Sequence, residues 1–157
     1  MVSIAADIVP MVGENRVLAY YGLKKINNDP SNGICSILKS AGVLPSQDEA
    51  SKYYFSKEIT INDLVFSLGP RINAAGRIEN ATNSVRLLIS TNTEYAEKLG
   101  AQINELNSTR RDLDTNITKE AIEQIENNAE NANKKATIVY NPQWHKGVIG
   151  IVASRLI

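Results

Sequence analysis

The chain has 157 residues, 43% of them hydrophobic and 22% charged, a globular composition that excludes disordered and collagen-like states. Seventeen basic and seventeen acidic residues give a formal net charge of zero, so a polyanionic partner must be held by a local patch and not by the field of the whole protein. One cysteine, Cys35, excludes an internal disulfide framework and a thiolate metal cage and fits a reducing cytoplasm; no secretory leader pattern opens the sequence, and no run approaches the ~18 apolar residues of a membrane span.

In chain order, "VSIAADIVP" predicts a buried apolar strand ending at Asp7, because Pro10 cannot continue a central strand. "NRVLAYYGLKKIN" then spaces Val17, Leu18, Tyr21 and Leu23 as one face of a helix, which Asn27-Asn28-Asp29-Pro30 closes. "SNGICSILKSAG" predicts a short helix with Ile34, Ile37 and Leu38 inward and Gly42 just past its C-terminus. Residues 43–58 are polar and irregular. "TINDLVFSLGP" starts a helix capped by Thr60 or Asn62, with Leu64, Val65 and Leu68 buried, that runs into a Gly- and Ala-lined turn, "GPRINAAGR". "NATNSVRLLIS" is a further helix, packed through Val85, Leu88 and Ile89.

From Ala96 to Ala121 the seam Ala96, Leu99, Ile103, Leu106, Arg110, Leu113, Ile117, Ala121 alternates spacings of three and four, predicting one long amphipathic helix capped in Thr91-Asn92-Thr93. About 30 residues of helix are ~45 Å long, which favours a bridge between two domains; a coiled-coil dimerisation helix competes, against Arg110 in the seam. "NNAENANKK" reads as a linker, "ATIVYN" as a strand, and "PQWHKGVIGIVASRLI" turns at Gly147 into a helix. One strand and one helix do not make a domain, so the chain is expected to be an internal piece of a larger protein.

Three places could carry chemistry. Asp7, at the end of its expected strand, stands where open α/β sheets put ligand and metal residues, or is a simple turn former. Arg71, Asn73 and Arg77 lie in a window from Leu64 to Ile78 with no acid in it, beside small residues that let a backbone approach. Guanidinium forks there suit phosphate oxygens, or else each pairs with a distant acid across a helix corner. After Glu130 no acid follows, while Lys134, Lys135, Lys146 and Arg155 do. "WHKGVIG" offers an anion a Gly-led helix start. Trp144 either stacks on a base or anchors the core, and Ser154-Arg155 either reach the same anion or are solvated. The lone His145 excludes a histidine pair, and no Walker loop, Rossmann fingerprint, HExxH or GxSxG is present.

Taken together and in order, "AADIVPMVGENRVLAYYGLKKIN", "GPRINAAGRI" and "WHKGVIGIVASRL" resemble the single-stranded-DNA exonucleases of the DHH phosphoesterase superfamily. The resemblance implies an α/β parent fold, with a DHH catalytic domain, a long connecting helix and a DHH-associated nucleic-acid-binding domain. Residues 1–90 would be the C-terminal part of the first, 91–130 the helix and 131–157 the start of the last. The chain itself should be mostly helical with a few short strands. The implied reaction is 5′→3′ hydrolysis of single-stranded DNA at a two-metal Mn²⁺ or Mg²⁺ centre, in DNA repair and recombination. By position, Asp7 would be a metal ligand. Arg71, Asn73 and Arg77 would contact the DNA backbone, and Trp144, His145, Gly147, Ser154 and Arg155 would make phosphate and base contacts. The Asp-His-His triplet and the other metal-ligand aspartates are absent from the sequence, so the chain alone is expected to be inactive.

Overall fold

The computed structural model describes residues 1–7, 9–127 and 136–156, in which the regular elements are helical: α1 (Val2–Ala6), α2 (Gly13–Asn28), α3 (Asn32–Ser40), α4 (Ile61–Asp63), a π-helical turn (Leu64–Leu68), α5 (Gly69–Ile78), α6 (Thr82–Ile89), α7 (Thr93–Glu126) and α8 (Ile149–Ala153). They form two compact units, Met1–Asn107 and Ser108–Ile157. The linker at 128–135, with Lys134 and Lys135, lies outside the described residues. The expected short strands are not found among the described residues, where the only β pairing is an isolated antiparallel bridge between Pro45 and Phe55.

The core of the first unit gathers Ile37, Leu38, Phe55, Ile59, Leu64, Leu68, Leu87 and Ile103. The opening segment is helix α1, not a strand. It has no strand to pair with among the described residues, so its backbone bonds locally, Ala5 N–H to the Met1 carbonyl at 3.1 Å, and Ala5 turns into the core. Helix α2 corrects its expected face as well: Val17, Leu18 and Tyr21 are exposed, whereas Ala19 and Ile26 are buried and Leu23 packs on the core. A small-residue stripe lets the helix lie close, and Met1 crosses it at Gly22, where a Cβ would sit 2.3 Å from the Met1 Cγ. In α6, Leu87 is fully buried and Val85 and Ile89 are exposed, because α3 approaches so closely that a Cβ on Gly33 would lie 2.1 Å from the Leu87 carbonyl oxygen.

Other expectations hold. Ile34, Ile37 and Leu38 of α3 are buried, and Gly42 follows it at φ 85°, the left-handed conformation that favours glycine. Thr60 is the N-cap of α4 in a reciprocal capping box with Asp63. Phe55 anchors the irregular 43–58 stretch in the core, and the buried Asn27 side chain holds Ile59 from both sides, donating to its carbonyl and accepting from its N–H, both at 2.8 Å.

Helix α7 runs unbroken for 34 residues, with Asn92 accepting from Tyr95 N–H at 2.8 Å at its start. The seam is buried within the chain: Ala96, Leu99 and Ile103 join the core of the first unit, and Ile117 and Ala121 are buried in the second. No helix among the described residues is long and apolar enough to cross a membrane.

Candidate active-site pocket and nucleic-acid interface

The GPRINAAGR stretch is not a turn but helix α5, and its geometry begins with Pro70. Proline cannot donate the usual bond to the preceding turn, and the helix passes the gap by widening to a π turn, in which Gly69 N–H reaches the Leu64 carbonyl. Ala74 and Ala75, strong helix formers, are fully buried. Gly69 brings α5 against α1, since a Cβ there would be 3.4 Å from that of Ala6. Ser84 ties α6 to the same helix by donating to the Ile72 carbonyl at 3.2 Å.

This packing opens a cavity of about 520 Å³ lined by Val2, Ser3, Ala6, Asp7, Ile72, Asn73, Arg77 and Leu88. Asp7 enters it from the extended residue that ends α1. Asn73 and Arg77, four apart on α5, present one face to it. Three of the residues singled out from the sequence thus share one pocket, and Ser3, which the sequence reading missed, joins them. The arrangement offers one carboxylate, one guanidinium and one amide, a set that can hold a phosphate beside an acid.

Arg71 is not among the lining residues. Its Nε donates to Asn104 Oδ1 at 2.9 Å and its Nη1 to the Ser67 carbonyl at 2.6 Å, so it braces the π turn against α7. The described residues do not fit a metal centre on their own. No group of three or more His, Cys, Asp or Glu among them could hold an ion, and Asp7 contributes a single hard donor where a divalent cation takes several oxygens. Burial pushes the Cys35 thiol up, against a weaker lowering by hydrogen bonding to Tyr54.

In the second unit, the expected strand at "ATIVYN" has no ladder over its described residues. The Gln124 amide takes the place of a strand partner, donating to the Tyr140 carbonyl at 3.2 Å and accepting its N–H at 3.1 Å. Glu120 accepts from the Trp144 indole N–H at 2.7 Å and from Asn141 Nδ2 at 3.1 Å. His145 Nδ1 accepts from Gly147 N–H at 3.2 Å, and Ser154 Oγ turns back onto the Gly150 carbonyl at 2.9 Å. Arg155 Nη2 lies 3.0 Å from Asp114 Oδ2, with 54% of its side chain exposed. Asn104, Asp114, Glu120 and Gln124 were missed by the sequence reading. The i,i+4 spacing of Arg110 and Asp114 beside the seam was the one available signal.

No protein-family model matches this sequence. The single-stranded-DNA-specific exonuclease RecJ of Salmonella typhimurium is 36% identical over 155 residues, covering 96% of this chain and 25% of that protein. RecJ of Bacillus subtilis is 38% identical over 152 residues, 97% of this chain and 18% of that protein. A crystal structure of exonuclease RecJ bound to manganese superposes with a TM-score of 0.78 at 29% identity, covering 99% of this chain and 35% of that one. Sequence and fold both match RecJ. RecJ of Thermus thermophilus, solved with Mn²⁺, gives a TM-score of 0.77 at 30% identity, again over 99% of this chain and 21% of its own. The chain therefore spans a quarter or less of the length of the curated RecJ relatives named above.

Proposed function

We propose that this chain supplies the phosphate-holding part of a RecJ-type enzyme, a metal-dependent 5′→3′ exonuclease acting on single-stranded DNA in the cytoplasm, in DNA repair and recombination. The observation that carries it is the pocket in which Asp7 meets Asn73 and Arg77 of α5, far from it in sequence. In this reading Arg77 and Asn73 hold the DNA phosphate, and Arg71 fixes the helix that presents them. Asp7 is one ligand of a Mn²⁺ or Mg²⁺ centre whose other donors are not in this chain. The parent would be an α/β DHH domain joined by α7 to a DHH-associated domain, with Trp144, His145, Gly147, Ser154 and Arg155 at the latter's DNA surface. By itself the chain binds single-stranded DNA without cutting it, since one carboxylate cannot assemble two metals.

The test is fluorescence anisotropy of a labelled, 5′-phosphorylated single-stranded oligonucleotide at low and physiological salt. The wild-type chain should bind in a salt-sensitive manner. Asn73→Ala/Arg77→Ala should weaken binding and flatten the salt dependence by roughly 0.7 in log–log slope for each phosphate left unneutralised. Equal binding by both proteins contradicts the assignment.

A further inference from the structure

Asp114 is a carboxylate beside the seam of α7, and its side chain is only 3% exposed. Burying a carboxylate is costly unless cations and hydrogen bonds compensate it. Here Arg155 Nη2 is at hydrogen-bonding distance, 3.0 Å from Oδ2, while Arg110 Nη1 at 3.7 Å contributes charge alone. Arg110 is largely buried, at 14% side-chain exposure, so of the two guanidiniums Arg155 is the one presented to solvent. Among the described residues Asp114 Oδ1 accepts no hydrogen bond, so the acid is not satisfied as a purely structural group would be.

The Trp144 indole N–H, His145 Nδ1 and the Ser154 hydroxyl bond within the chain, to Glu120, to Gly147 N–H and to the Gly150 carbonyl respectively. Of the second unit's residues singled out from the sequence, Arg155 combines a buried anchor with an exposed charged head. We infer that Asp114 is a positioning residue that orients the Arg155 guanidinium toward the phosphate backbone of single-stranded DNA, an inference that rests on the function proposed above. A negative charge on a DNA-binding protein normally weakens binding. This one strengthens it, by holding the fork of Arg155 in place before the DNA arrives.

The sign of the effect is the test. Asp114→Asn removes a negative charge at nearly constant size, and charge alone predicts tighter oligonucleotide binding. The positioning role predicts binding weaker by roughly tenfold, the worth of one charge-assisted hydrogen bond. Arg155→Ala should lose as much, and Asp114→Asn/Arg155→Ala no more than either. Tighter or unchanged binding by Asp114→Asn, or a further loss in the double variant, overturns the inference while the wild-type chain's binding upholds the function. Absence of wild-type binding overturns both. Should Asp114→Asn fail to fold, nitrogen-15 NMR of the wild-type arginine Nε–H groups decides. An Arg155 signal ordered in the free chain and shifted by oligonucleotide supports the role, and one that is mobile or unshifted refutes it.

Discussion

Asn27 and the two arginines of α5 divide the labour at the scale of single residues. Asn27 closes the Ile59 backbone from both sides inside the core, so Asn27→Ala strands a buried N–H and a buried carbonyl. At about 1–3 kcal/mol for each of the two groups left unsatisfied, it should lower unfolding stability by about 2–6 kcal/mol, read as a lower urea midpoint. Arg71 and Arg77 look equivalent in the sequence, yet only Arg77 lines the pocket, while Arg71 is spent on Asn104 and Ser67. Arg71→Ala is thus expected to lower the melting temperature, and Arg77→Ala to cost oligonucleotide affinity. Both effects can be read from melts and anisotropy on the same two variants. Asp7, Asn73 and Arg77 stood out in the sequence as residues, but their helical setting did not, since the one stretch read as a turn and the other as a strand. The brace was not visible either, because its partner Asn104 lies on a different element and carries no local signal.

At the scale of elements, long periodic segments were legible and short apolar ones were not. The α7 seam continues for more than three turns, and only a helix keeps such a stripe on one side. "VSIAA" is too short to separate strand from helix by period, and the absence of a pairing strand among the described residues decides for the helix. The faces of α2 and α6 were misjudged because the neighbours' approach selects the buried side: Ala19 and Ile26 in α2, and Leu87, against Gly33 of α3, in α6. Gly33→Ala tests that directly. Its Cβ would meet a backbone carbonyl of α6 at 2.1 Å, which cannot yield as a side-chain tip would. A loss of about 1–3 kcal/mol or more is expected from equilibrium unfolding. The capping box of α4 adds a pH dependence. Burial would raise the Asp63 pKa, but hydrogen bonds from Lys57 and from the Thr60 backbone and hydroxyl together outweigh it and hold the carboxyl below its ordinary value. A lowered folded-state pKa gives stability that is present above the unfolded value and lost as pH falls through the folded one. Melts of the wild type and Asp63→Asn should differ at neutral pH and converge below about pH 4.

For the molecule as a whole, the sequence carried the family resemblance in three blocks, and the match to RecJ over nearly the full chain agrees with it. What could not be read was which partners the charges would take. The sequence reading assigned no role to the acids of α7, where Asp114 and Glu120 hold Arg155 and Trp144. The central claim is that this pocket works within a RecJ-type active centre. The most direct measurement replaces the matching segment of Bacillus subtilis RecJ with this chain and follows hydrolysis of single-stranded DNA in Mn²⁺. The chimera should digest the strand, and Asp7→Asn should abolish digestion while oligonucleotide binding survives. A folded chimera that is inactive, or one whose rate ignores Asp7→Asn, would contradict the account.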